Sequence, residues 1–121
     1  MDKDRRLEIT EKANNLLSSY GLDGQYPVPV EKIPELLGYK LQFFTLDKSN
    51  DLQAISGAVD HVDKIVFINK DEFVLRQAFT IAHEIGHILL HSHLGNTIDF
   101  RGNLFEPKTE QEKEANLFAA E

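Results

Sequence analysis

Leu7, Ile9, Ala13, Leu16, Leu17 and Tyr20 recur three and four positions apart with charged residues between them. That is the spacing of one helical face, and Gly21 ends the run. The stretch "DGQYPVPV" then reads as a loop, and a short second helix is expected from Glu31 to Leu37. Pro34 is tolerated only in a first turn, and Gly38 supplies a left-handed stop. Three segments, "YKLQFFTL", "LQAISGAV" and "KIVFIN", are short and rich in β-branched and aromatic residues. The polar breakers "DKSND" and "DHVD" separate them, so the pattern predicts three strands in a meander. Ile65 to Ile68 is apolar on both faces, which places that strand centrally.

Asn69 with Glu72 has the form of a capping box, and helical character runs from there to Leu94 and stops at Gly95. From Phe73 onward this helix is apolar nearly all round, so it should be buried against the sheet. "GNTIDFRGNLFEP", with two glycines and a proline, reads as a loop. Thr109 with Glu112 repeats the capping-box pattern and opens a last helix through "EQEKEANLFAAE". No stop signal follows, so the sequence ends within that helix. The expectation is one domain over residues 1–121 of class α+β: a small three-stranded, mainly antiparallel sheet packed against helices, with the apolar helix buried.

Composition narrows the function classes. Hydrophobic residues make up 41% and charged residues 27% of the 121 positions, as in an ordinary globule with a single core. A formal charge of -7 argues against direct nucleic-acid binding, which draws its affinity from Lys and Arg that displace counterions. There are no cysteines, so any metal must be held by histidines and carboxylates. "MDKDRRLEIT" is too charged for a signal peptide, and no apolar run approaches the roughly 20 residues of a membrane span. A cytoplasmic location and no membrane partner are the resulting expectations.

The candidate chemistry lies in "FTIAHEIGHILLHSHLG". Four of the five histidines fall within it, and Glu84 is its only acidic or basic residue apart from them. A helix advances about 100° per residue, so His83 and His87 share a face and stand about 6 Å apart along the axis. Glu84 is turned away from the ring nitrogens, which suits a carboxylate that handles a proton beside a metal without taking a coordination position. His83-Glu84-Ile85-Gly86-His87 is the H-E-x-x-H arrangement of a metallopeptidase. Polar rings in so apolar a helix cost several kcal/mol unless something binds them, and a metal would do so.

A catalytic zinc needs three protein ligands and an open position. His93 stands at the offset of the pattern H-E-x-x-H-x-x-G-x-x-H, but Leu90 occupies the place of the helix-breaking glycine, and the only methionine is Met1, which rules out a Met-turn. His91 is about 12 Å from His83 along the helix axis, too far to share its ion. The other source is a glutamate of the last helix, giving a His, His, Glu set. Among Glu110, Glu112 and Glu114, the capping box engages Glu112 and the helix dipole suits Glu110. Glu114, bordering Leu117 and Phe118, points nearest the core.

"FINKDEFVLRQAFTIAHEIGHILLH" followed by "EKEANLFAAE" resembles the ImmA/IrrE family of metallopeptidases, strongly over Val66 to Glu121 and loosely before it. The resemblance implies a zincin-like core with zinc (Zn2+) held by His83, His87 and Glu114, and Glu84 as the catalytic carboxylate. Ala78 stands where the family usually has the arginine of R-F-T, so whatever that arginine orients is handled by Arg76 or is absent. His91, His93 and Arg101 are the candidates for stabilising the transition state or orienting a ligand. The resemblance also implies a protein substrate, a helix-turn-helix repressor of a phage, mobile element or stress operon. The alternative is a zinc-containing binding module that docks a repressor or toxin partner without cutting it.

Overall fold

Helix α1 (Lys3–Ser19) is capped by Asp2, whose Oδ1 accepts the Arg5 backbone N–H at 3.0 Å. The computed structural model describes residues 2–22, 29–45, 55–91, 95–100 and 109–120. The "DKSND" breaker, His93, Arg101 and most of the "DGQYPVPV" loop lie outside the described residues. Ile9, Ala13 and Leu16 form the buried face of α1, and Gly21 follows it at φ +69°. A 3-10 turn at Val30–Lys32 runs directly into α2 (Ile33–Leu36), where Pro34 sits in the first turn and Gly38 stops the helix at φ +85°. Both glycines occupy the left-handed region that side chains with a Cβ rarely enter.

Three strands form where expected: β1 (Lys40–Phe44), β2 (Ile55–Asp60) and β3 (Ile65–Asn69). The sheet nevertheless differs from a three-stranded meander. It has four strands in the order β1-β3-β2-β4, with β4 at Thr97–Phe100. β1 pairs parallel to β3, whereas β2 is antiparallel to both β3 and β4, so the sheet is mixed, with two antiparallel pairings and one parallel one, and is not a meander. β3, apolar on both faces, is an interior strand as its composition requires. β4 escapes pattern reading because its polarity is inverted: Asp99 is buried while Ile98 between its neighbours is exposed.

The pairing register arranges the sheet face by face. Phe43, Ile68, Gly57 and Asp99 form one row across the four strands, and Leu41, Val66, Val59 and Thr97 the next. Since Gly57 abuts Thr80 and Glu84 of the following helix, these rows are the face on which that helix lies. The apolar character of the rows gives way to Thr97 and Asp99 only at β4.

Helix α3 (Val74–His91) is shorter at its start than the Asn69 capping box suggests. Asn69 Oδ1 accepts the Asp71 N–H at 2.9 Å, its Nδ2 donates to the Ile55 carbonyl at 2.9 Å, and Glu72 accepts the Ser56 hydroxyl at 2.9 Å. Both side chains therefore tie the end of β3 to β2 instead of capping a helix. Phe73, Val74 and Leu75 are exposed, and the buried part of α3 begins at Thr80. Helix α4 (Glu110–Ala120) is capped at its start by Thr109, whose Oγ1 accepts the Glu112 N–H at 3.1 Å.

α3 packs on β2 and β3, lies along α4, and α4 in turn meets α1. Gly86 permits the close approach of α4: a Cβ there would lie 3.2 Å from Phe118 Cβ and 3.3 Å from Ala115 Cα. Among the described residues, no helix is long and apolar enough to cross a membrane. Ile85, one turn from Ile81 and Ile88 in the core, lines an apolar cleft with Leu16, Ile33 and Phe118. Ile85→Ala is expected to lower stability by about 2–5 kcal/mol, read as a fall in the urea midpoint at unchanged slope.

Candidate active site

Two α3 side chains one turn apart bring their ring nitrogens together: His83 Nε2 and His87 Nε2 are 3.1 Å apart. α4 adds a carboxylate facing both, with Glu112 Oε2 at 3.1 Å from His83 Nε2 and Glu112 Oε1 at 3.1 Å from His87 Nε2. β4 adds another, with Asp99 Oδ1 at 3.4 and 3.5 Å from the same two nitrogens. His83, Glu84, His87 and Asp99 are all 0% exposed, and these four offer ligand atoms lying within 4.8 Å of one another. β2 makes room for the helix at this level. A Cβ on Gly57 would stand 2.7 Å from Thr80 Cγ2 and 2.8 Å from Glu84 Oε2. Gly57→Ala is therefore expected to cost about 1–3 kcal/mol by overpacking, measured by urea unfolding.

The charges of the cluster shape one another. Burial foremost, then the charges of Asp99 and Glu112, push the Glu84 carboxyl well above the usual range. Burial alone would raise Asp99 too, but its polar neighbours Glu84, His83 and His87 pull it far below its ordinary value. Burial works against charging the imidazoles, yet the facing carboxylates of Asp99 and Glu112 outweigh it, raising His83 and pushing His87 up to about 9. The centre of the pocket attracts positive charge.

A metal cation fits that centre. Donors held at about 2.0–2.1 Å around a tetrahedral zinc stand about 3.3 Å from one another, and the nitrogen and oxygen separations here are 3.1 to 3.5 Å. Both Asp99 oxygens are buried without a hydrogen-bond donor among the described residues, a costly state for a charge unless a cation faces it. His83 Nδ1 lies 2.6 Å from Asn116 Oδ1. An amide oxygen only accepts, so Nδ1 carries a proton, and the neutral ring, the form that binds a metal, directs its Nε2 lone pair into the cluster.

Residues 38–121 match the IrrE N-terminal-like domain, a peptidase family. This chain belongs to that family. It is also 32% identical over 117 residues to metallopeptidase ImmA of Bacillus subtilis (strain 168), covering 93% of this chain and 61% of that protein. The chain therefore spans less than two-thirds of the length of that relative. In this IrrE N-terminal-like domain, His83, Glu84 and His87 lie together in the buried cluster on α3.

Glu114 is not brought to the two ring nitrogens. Its carboxylate accepts from Arg5 Nε at 2.8 Å and Arg5 Nη2 at 3.0 Å, and faces His91 Nε2 at 2.7 Å. Arg5 first, then His91, hold it down at about 2 against the opposing effect of burial. Glu112 stands in the cluster instead: the Thr109 hydroxyl accepts its backbone N–H, and the Glu112 side chain turns inward to the two rings. His91 meets His87 through its Nδ1 at 3.1 Å, and burial foremost keeps it below its ordinary value.

Asp99, Asn116 and Arg5 are the participants that sequence reasoning passes over, and Glu112 is one that it assigns to the capping box. For α4 a signal exists: Glu112 and Asn116 are four apart and so share a helical face. For Asp99 the signal is the alternation Thr-Ile-Asp-Phe, masked by the glycines around it. Arg5 carries none.

Proposed function

We propose that this domain is a zinc-dependent endopeptidase whose substrate is a cytoplasmic protein, a helix-turn-helix transcriptional repressor of a phage, mobile element or stress operon. The observation that carries the reading is Glu84. It is wholly buried beside His83, His87, Glu112 and Asp99, and both its oxygens lack a hydrogen-bond partner among the described residues. A carboxyl kept there with a raised proton affinity has the property a general acid and base needs. His83 and His87, with a carboxylate of α4 or β4, would hold the metal, Glu112 being the nearer of the two donors to both rings. When bound, zinc supplies Lewis acidity that polarises a carbonyl and acidifies a water.

The chain's own part is proton handling. Glu84 accepts the proton of the attacking water on its carboxylate and delivers it to the amine that leaves. Asn116 keeps the His83 ring in the tautomer that turns Nε2 inward. A protein substrate is supported by the peptidase family to which the chain belongs and suits the acidic charge of -7 better than DNA does; the choice of a repressor rests on the sequence resemblance.

One observation favours the alternative of a non-catalytic binding module. If Asp99 coordinates together with His83, His87 and Glu112, four protein donors close the site, as in structural zinc centres. Incubating the protein with the repressor encoded beside it separates the two. A single discrete cut is expected of the peptidase; a stable complex with intact repressor would establish the module.

A further inference from the structure

Behind His87 stand three side chains that the proposed chemistry leaves unused, and any part they play rests on the ligand role proposed above for His87. His87 Nδ1 lies 3.1 Å from His91 Nδ1, and His91 Nε2 lies 2.7 Å from Glu114 Oε1. Arg5 completes the line, donating from Nε to Glu114 Oε2 at 2.8 Å and from Nη2 to Glu114 Oε1 at 3.0 Å. The line joins α3, α4 and the first turn of α1, and Arg5 and Glu114 are 109 residues apart in sequence.

We propose that Arg5, Glu114 and His91 are positioning residues, forming a hydrogen-bond chain of one fixed direction that presets His87 to present the Nε2 lone pair to a metal. The direction is dictated from the outer end. A guanidinium only donates and a carboxylate only accepts, so Arg5 orients Glu114 and leaves it able to take one further N–H. His91 supplies that hydrogen from Nε2. A neutral imidazole has one N–H and one lone pair, so His91 Nδ1 is then an acceptor. With both rings neutral, the form in which an imidazole binds a metal, the hydrogen between the two Nδ1 atoms belongs to His87, which leaves its lone pair on Nε2. That nitrogen is the one 3.1 Å from both His83 Nε2 and Glu112 Oε1.

The two rings are thus aligned by different means. His83 is held by one amide oxygen of α4, and His87 by a relay that ends on a surface arginine with 29% of its side chain exposed. A plain ionic staple between α1 and α4 would be indifferent to the direction of the His91 proton. The relay requires it, and metal affinity should register the difference, as it does for carboxylates that orient ligand histidines.

The test uses the full chain labelled with 15N-histidine and zinc affinity measured against a competing chelator. Zinc-loaded wild type is expected to show scalar coupling across the hydrogen bond between the two Nδ1 atoms of His87 and His91. His91→Leu and Glu114→Leu are each expected to weaken zinc binding about 10–100-fold, and Glu114→Gln, which keeps an acceptor oxygen, to recover most of the loss. Should His91→Leu fail to fold, Arg5→Met at the surface end decides the matter through the same affinity and coupling. Affinities within about twofold of wild type in these variants, or no coupling in the loaded wild type, would overturn the relay while leaving the metal site intact. A wild type that takes up no zinc would overturn the ligand role of His87 and the relay with it.

Discussion

Glu84→Gln is expected to slow peptide-bond cleavage by about 10²–10⁴-fold, the usual scale of general acid and base catalysis, while the protein keeps the zinc content of wild type. The two side chains have nearly the same shape, so the space opposite Gly57 and Thr80 stays filled. What changes is the ability to accept and return a proton. Folding should not suffer. Glu84 is 0% exposed and its pKa is raised by burial and by Asp99, so the ionised carboxylate is a burden that glutamine removes. The readout is twofold: rate of cleavage of the repressor, and zinc per chain by atomic emission. Cleavage at a rate close to wild type would dismiss Glu84 as the proton carrier, and loss of zinc would make it a ligand instead.

Glu112→Ala is expected to cost more zinc affinity than Glu114→Ala, by a margin exceeding the roughly 10–100-fold that orienting groups command. The ordering comes from geometry. Glu112 places an oxygen 3.1 Å from each ligand nitrogen, while Glu114 is spent on Arg5 and His91 and reaches the cluster only through the His91 ring. A chelator competition on the two variants, run beside His87→Ala, decides it. If the loss in Glu114→Ala equalled that in His87→Ala while Glu112→Ala bound as wild type does, the third ligand would be Glu114 and the carboxylates of α4 would have to exchange places on metal binding. Asp99→Asn belongs in the same series, because it removes a buried charge that has no hydrogen-bond donor among the described residues.

Local chemistry carried much of this molecule. The amphipathic spacing of α1, the glycine stops at Gly21 and Gly38, three of the strands and the buried helix with His83, Glu84 and His87 all depend on residues within a few positions of one another. Such features are written in the order of the side chains, because helix and strand periods are properties of a short stretch of backbone. The place of β1 beside β3, the fourth strand and the identity of the facing carboxylates are of another kind. Each is decided by which surfaces meet. β4 has its polar residue inward and its apolar residue outward, so its pattern makes sense only once α3 lies over it. Glu112 and Glu114 differ by two positions on one helix, and a cap hydrogen bond to Thr109 is compatible with either turning inward. Packing of α4 on Gly86 sets that rotation, directing Glu112 and Asn116 toward the histidines and Glu114 toward Arg5. No run of residues encodes a meeting between positions 5 and 114; it exists only because α1 and α4 lie side by side.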